Sequence, residues 1–140
     1  MKIYFSCSIT GGRGDEPVYQ ALVAHLQAAG HEVLTAHLAS SQILEAESHL
    51  GAAAVYERDC AWVRACDAMI AEVSTPSHGV GYEIAYALEH GKPVLCCHRT
   101  GSQVSKMLLG NSRPGLAVSA YTTPAEAAAA VDRFLGSLQG

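Results

Sequence analysis

Residues 68–74 read Ala-Met-Ile-Ala-Glu-Val-Ser, an apolar run broken only by Glu72. A strand with one solvated face alternates apolar and polar residues. A nearly continuous apolar run of this length belongs instead to a parallel strand covered on both faces. Such a strand requires helices above and below it, so this one segment already points to a layered α/β fold. Four more runs have strand length: 2–8, 31–37, 93–98 and 116–121. Helical spacing fills the gaps. In 16–29 the apolar positions Val18, Leu22, Val23, Leu26 and Ala29 recur with Pro17 early and Gly30 as a stop. Segments 55–66 and 80–90 repeat the pattern, the second ended by Gly91, and 102–109 is read as helical. Thr123 and Glu126 have capping-box spacing at the start of an Ala-rich last helix. Residues 39–54, rich in Ala and Ser, read equally as helix or as a cover. The alternation predicts one domain over residues 1–140. Its fold is a doubly wound (Rossmann/flavodoxin-like) α/β fold, a five-stranded parallel sheet with helices on both faces.

Composition narrows the partners. The chain has 140 residues, 49% hydrophobic and 16% charged, which is one globular domain's worth. Nine Lys and Arg against 13 Asp and Glu give a net charge of −4. Proteins that grip long DNA or RNA neutralise phosphates with an excess of cations, so a nucleic-acid polymer is excluded as the first reading. A small anion is compatible, because helix N-termini hold anions inside acidic proteins. The start, Met1 to Cys7, has one basic residue and a short apolar run, too little for a signal peptide or membrane span. The five cysteines (Cys7, Cys60, Cys66, Cys96, Cys97) lack CxxC spacing and read as small buried hydrophobes in a reducing cytoplasm. No metal site and no cofactor are expected. Cys96 and Cys97, adjacent in a strand, should face opposite sides of the sheet.

In this fold ligands bind beyond the carboxyl ends of the strands, where the strand order reverses. Three polar loops leave such ends, and two of them carry candidate residues. Ser8, Ile9, Thr10, Gly11, Gly12 and Arg13 follow the first strand. Glycines there let backbone N–H groups approach an anion, although the spacing is neither a P-loop nor a dinucleotide fingerprint. The second loop, Ser74-Thr75-Pro76-Ser77-His78-Gly79-Val80-Gly81-Tyr82-Glu83, runs hydroxyls and small residues into a helix N-terminus. Two readings stand for Glu83: a helix-dipole or capping glutamate, and a carboxylate aimed into the crevice. Asp59, between Tyr56 and Trp62, is either a solvated helix residue or a second acid of the same site. Tyr4 reads alone as a core aromatic, His37 as a crevice-edge residue, and Glu72 and Asp67 as structural acids. What gives these residues weight is their convergence on one end of one sheet.

Four stretches carry a resemblance: Tyr4-Phe5-Ser6-Cys7-Ser8-Ile9-Thr10-Gly11-Gly12-Arg13, Leu34-Thr35-Ala36-His37, Glu57-Arg58-Asp59-Cys60-Ala61-Trp62, and Ala71 through Glu83 with its Pro-Ser-x-Gly-Val-Gly-Tyr-Glu core. In order and spacing they resemble the 2'-deoxynucleoside 5'-phosphate N-hydrolases of the nucleoside 2-deoxyribosyltransferase superfamily. The resemblance implies cleavage of the N-glycosidic bond of a 2'-deoxynucleoside 5'-monophosphate, releasing free base and 2-deoxyribose 5-phosphate. Glu83 would be the nucleophile that forms a covalent glycosyl-enzyme, Asp59 the acid that assists the departing base, and Tyr4 the residue that positions the nucleophile. Ser8 and Ser77 would bind phosphate with the loop residues Thr10, Gly11, Gly12, Arg13 and Gly79. Ile9 and His37 would sandwich the base. The resemblance also implies a homodimer in which Ser105 is lent to the neighbouring site. Thr10 stands where relatives often carry arginine, and His78 also departs from the pattern; Arg13 or Arg99 is the available substitute cation. Nearby alternatives are a CMP-type ribonucleotide N-hydrolase and a nucleoside 2-deoxyribosyltransferase. A reading of a different class is a non-catalytic nucleotide-binding module, and a Cys7-dependent hydrolase is a third.

Overall fold

The protein is described by a computed structural model covering residues 1–9, 11–12 and 14–140, so Thr10 and Arg13 of the first loop lie outside the described residues. Five strands, β1 (Lys2–Ser6), β2 (Glu32–Val33), β3 (Ala68–Glu72), β4 (Val94–Arg99) and β5 (Leu116–Tyr121), pair in parallel in the order β2-β1-β3-β4-β5. Helices α1 (Glu16–Ala28) and α6 (Pro124–Gln139) cover one face; α3 (Ala52–Ala65) and α4 (His78–Glu89) cover the other. Short helices α2 (Ile43–Ser48) and α5 (Lys106–Leu109) lie in the connections. Every residue of β3 is buried, as its unbroken apolar run requires. Among the described residues, no helix is long and apolar enough to cross a membrane.

Strand alternation sorts the core into two layers. Ile3, Phe5, Ile70 and Cys97 pack with Leu22 and Leu26 of α1 and Val131 of α6. Tyr4, Met69, Ala71 and Cys96 pack with Val63 of α3 and Ile84 of α4. Cys96 and Cys97 thus face opposite sides as expected, and burial pushes both thiols up to about 12.

Three elements differ from the sequence expectation. The second strand stops after Val33 instead of running to His37, and Ala36–Ala39 form a 3₁₀ turn. The cause is Thr35. Its hydroxyl accepts from Phe5 N at 2.8 Å and donates to Phe5 O at 2.6 Å, taking the place of the next backbone ladder rung. His37 therefore sits on a helical turn and not on a strand end. The ambiguous 39–54 segment resolves into α2 and the first turn of α3. The helix expected over 102–109 shrinks to one turn, starting only where Ser105 caps it by accepting from Met107 N. The capping box of α6 forms: Thr123 accepts from Glu126 N, while the Glu126 carboxylate accepts from Thr122 N.

After β1 the chain turns to one side, through α1, to build β2; β3, β4 and β5 are added on the other. The crevice at this reversal opens between the ends of β1 and β3. Glu72, at the end of β3, accepts from Ser74 N and Ser74 Oγ and from the Tyr121 hydroxyl, and Asp67 accepts from Lys2 N. Both acids have the structural roles expected of them.

Candidate active site

Period-two geometry places Tyr4 and Ser6 on the same side of β1, facing α4. Ser6 Oγ donates to Glu83 Oε2 at 3.1 Å. The buried hydroxyl of Tyr4 lies beside Glu83 without closing a hydrogen bond of good geometry. Burial raises the Tyr4 phenol well above its ordinary range, with the negative charges of Glu83 and Asp59 adding to it, so this group is a neutral donor. Glu83 is raised from 4.5 to about 7. Desolvation is the largest cause; Asp59 pushes the same way, while Tyr4, Ser6 and Arg58 pull back. A carboxyl raised toward neutrality by burial inside a crevice is a candidate for proton or nucleophile chemistry.

Across the crevice α3 presents Asp59. Arg58 Nε donates to Asp59 Oδ1 at 2.8 Å, and Arg58 Nη2 donates to Glu47 Oε1 at 2.9 Å. The guanidinium also stands 4.9 Å from the centre of the Trp62 ring, a cation–π distance. His37 meets Trp62 edge-on at 5.5 Å and comes within 3.5 Å of Glu47. A cleft of about 770 Å³ holds both acids. Cys7, Ile9, Glu47, Asp59, Tyr82 and Glu83 are among its walls, with Ser77, His78 and Gly79 from the start of α4. That volume suits a small-molecule ligand.

The two polar loops meet as a unit. A Cβ on Gly11 would fall 2.4 Å from the Pro76 carbonyl oxygen and 3.1 Å from Ser8 Oγ, so only glycine lets the first loop seat on the second. Gly12, at φ +132°, occupies a conformation that side chains disfavour. Ser8 is fully buried beneath this contact. Ser77 caps α4, its hydroxyl accepting from Val80 N at 3.3 Å. Arg99 reaches the same neighbourhood but is held by Asp15 at 3.0 Å, and Asp15 also accepts from Thr75. Ser105 is exposed in a second groove, shared with Ser77, His78 and Met107.

The structure thus gathers Tyr4, Asp59 and Glu83 around one cleft, with Ile9, Ser77 and Gly79 in its walls. His37 reaches the wall through Glu47 instead of lining it. Ser105 stands apart in the second groove. Sequence reasoning missed Ser6, Arg58 and Glu47. Ser6 was findable, being two residues from Tyr4 on a strand. Arg58 carried the weaker signal of adjacency to Asp59, and Glu47 carried none, because its segment had no legible period.

Comparison with known proteins bears on this geometry. The family model described as nucleoside 2-deoxyribosyltransferase matches residues 3–127. A Methanococcoides burtonii protein named "Putative 2'-deoxynucleoside 5'-phosphate N-hydrolase 1" is 47% identical over 118 residues, covering 84% of this chain and 97% of the relative. The 5-hydroxymethyl-dUMP N-hydrolase of Mus musculus is 42% identical over 112 residues, covering 77% of this chain and 64% of its own. Among solved structures, the CMP N-glycosidase BcmB of Clostridium botulinum superimposes with a TM-score of 0.72. It is 16% identical and covers 96% of this chain and 99% of its own, a likeness of fold.

Proposed function

Because the chain belongs to the nucleoside 2-deoxyribosyltransferase family, we propose that it is a glycosidase of N-glycosyl compounds, which hydrolyses 2'-deoxynucleoside 5'-monophosphates to free base and 2-deoxyribose 5-phosphate. The observation that carries this reading is the pair of carboxylates, Glu83 and Asp59, in one cleft at the reversal of strand order. A non-catalytic binding module has no use for two acids aimed at an anionic ligand.

The chemistry follows from the environments. The transition state at C1' is oxocarbenium-like, and a carboxylate beside it gains attraction as positive charge grows. Glu83 supplies that carboxylate. The ionised form is the nucleophile; desolvation makes it costly, and the positive charge developing at C1' offsets that cost. Ser6 donates to the non-attacking side of the group and Tyr4 lies ready to do the same, so the attacking oxygen is aimed. The Glu83 oxygen bonds to C1' as the C1'–N bond breaks. Asp59 passes a proton to the departing base so that it leaves neutral, a contribution of about 10²–10⁴-fold. The Asp59 carboxylate left behind then takes a proton from water, whose oxygen attacks C1' as the bond to Glu83 breaks. The first loop (Ser8, Gly11, Gly12), seated on Ser77 and Gly79 at the N-terminus of α4, forms the cradle for the 5'-phosphate, while Ile9 borders the base and His37 stands behind that wall through Glu47. Arg99 is already met by Asp15, so phosphate binding rests on loop groups and helix dipole more than on a free guanidinium.

The active assembly is a homodimer in the cytoplasm. Met107, 83% exposed, and Leu109, 57% exposed, flank Ser105 and suit burial against a second copy. Five buried free thiols suit a reducing compartment. The test is a panel of deoxynucleoside monophosphates with CMP and GMP alongside, monitored for free base. Release from a deoxynucleotide, abolished in Glu83→Ala, is the expected result; release from none of them overturns the reading.

A further inference from the structure

The site contains a cation that the scheme above does not use. Arg58 is the hub of a carboxylate–guanidinium–carboxylate chain: Nε binds Asp59 Oδ1 at 2.8 Å, Nη2 binds Glu47 Oε1 at 2.9 Å, and the plane lies against Trp62. The chain joins three elements. Asp59 and Arg58 belong to α3, Glu47 to α2, and His37, 3.5 Å from Glu47, to the 3₁₀ turn after β2. The side chains of Arg58, Asp59 and Glu47 are only 23%, 15% and 15% exposed, so this is no surface pair free to drift in solvent. Glu47 Oε2 is buried without a hydrogen-bond partner among the described residues. A buried carboxylate that leaves one oxygen unsatisfied is held there by what its other oxygen does, and that oxygen serves Arg58.

We propose that Arg58 is a positioning residue. It fixes the rotamer of the Asp59 carboxylate toward the cleft, and Glu47 fixes Arg58 in turn, so that the α2 wall and the leaving-group acid are set as one unit. Two adjacent helical residues ordinarily point about 100° apart; the Nε contact bends the guanidinium back onto Asp59, leaving one carboxylate oxygen tied and the other for the base. Lysine could not reproduce this bridge, because an ammonium is a point charge and not a planar fork. The inference rests on the N-hydrolase reading, since it assigns a support to the acid of that reaction.

The discriminating experiment uses two substrates. The first is a deoxynucleoside monophosphate, whose base needs help to leave. The second is 4-nitrophenyl 2-deoxyribofuranoside 5-phosphate, whose nitrophenolate leaves unprotonated. Arg58→Gln is expected to lower kcat on the nucleotide about 10–100-fold, part of the range general-acid help supplies, with KM changing less than 3-fold. Assayed at pH 9, where Glu83 is ionised with or without the Arg58 charge that lowers its pKa, the nitrophenyl substrate should lose less than 3-fold. Arg58→Lys should recover only part of the nucleotide rate. Glu47→Gln should show a smaller loss with the same preference between substrates, and the double variant should be no worse than Arg58→Gln alone. Trp62, the single tryptophan, reports whether the guanidinium has left its ring, by a change in emission that accompanies each loss. Equal losses on both substrates in Arg58→Gln and in Glu47→Gln would overturn the inference, as would a KM effect alone. If the unmodified protein cleaves neither substrate, the N-hydrolase reading itself fails; a wild type that cleaves both with no split in either variant refutes only the role of Arg58.

Discussion

Replacing Glu83 with glutamine should stabilise the protein, and should do so only above acidic pH. Glu83 has an ordinary value of 4.5 when exposed in the unfolded chain and about 7 in the fold. Below pH 4.5 it is protonated in both states and contributes no pH-dependent term. Between 4.5 and about 7 the unfolded state gives up its proton first, so the folded state loses stability as pH rises. Above pH 8 the whole difference is in force, about 3 kcal/mol. Glutamine keeps the shape and can still accept from Ser6, but it never ionises. The assay is denaturant unfolding of wild type and Glu83→Gln at half-unit steps from pH 4.5 to 8.5. Taking the difference between the two proteins cancels every other titrating group. That difference should grow from near zero to about 3 kcal/mol in favour of the variant, or about 10 °C in midpoint temperature for a domain of this size. A difference that stays flat with pH, or a wild type more stable at pH 8, would refute the claim that burial strains this carboxyl.

Further outcomes follow from the same site. The kcat/KM of wild type on a deoxynucleotide should fall about tenfold per unit below pH 7 as Glu83 of the free enzyme protonates; a profile level down to pH 5 would contradict it. Tyr4→Phe removes a hydroxyl that pulls the Glu83 value down, so the same acidic limb should move to higher pH in a pH–rate titration. Gly11→Ala puts a methyl 2.4 Å from the Pro76 carbonyl, so the loops must separate. The KM for the monophosphate should rise at least tenfold, while overpacking of about 1–3 kcal/mol lowers the melting temperature by about 3–10 °C. Mixing Glu83→Ala with Ser105→Ala protomers should restore activity that neither variant has alone, because one site of the mixed dimer is intact; no recovery after subunit exchange would place Ser105 in its own protomer's site.

The legible parts of the molecule were those where local physics and tertiary context agree. β3 announced itself because a both-faces-buried strand has no polar residue to spare, and α6 because Thr123, Pro124 and Glu126 satisfy its first turn from within the segment. Glu83 and Asp59 were legible as two acids converging on one end of the sheet, but the roles proposed for them came only from resemblance. No period distinguishes Glu83 from any other helix glutamate, and the property that sets it apart, desolvation against β1, is a product of packing. The second strand was overread because its alternation continues past Val33, while the hydroxyl of Thr35 substitutes for the ladder at a point no propensity encodes. Arg58 and Glu47 lie eleven residues apart, across a helix break, and their bond exists only once α2 folds over the cleft.

The same Thr35 has a consequence for how such proteins vary. By closing off the ladder with a side chain, it frees the backbone that follows from strand pairing, while Leu38, Ala39 and Ile43 still anchor that backbone to the core. The next fifteen residues bear no strand register, and the only fully buried apolar side chain of α2 is Ile43. Substitutions at the exposed positions between these anchors can reshape the α2 wall of the cleft without disturbing the strands that hold Tyr4 and Ser6 against Glu83. The exception is Glu47, whose bond to Arg58 ties this segment to Asp59, so an exchange of the segment that spares the chemistry must keep that carboxylate.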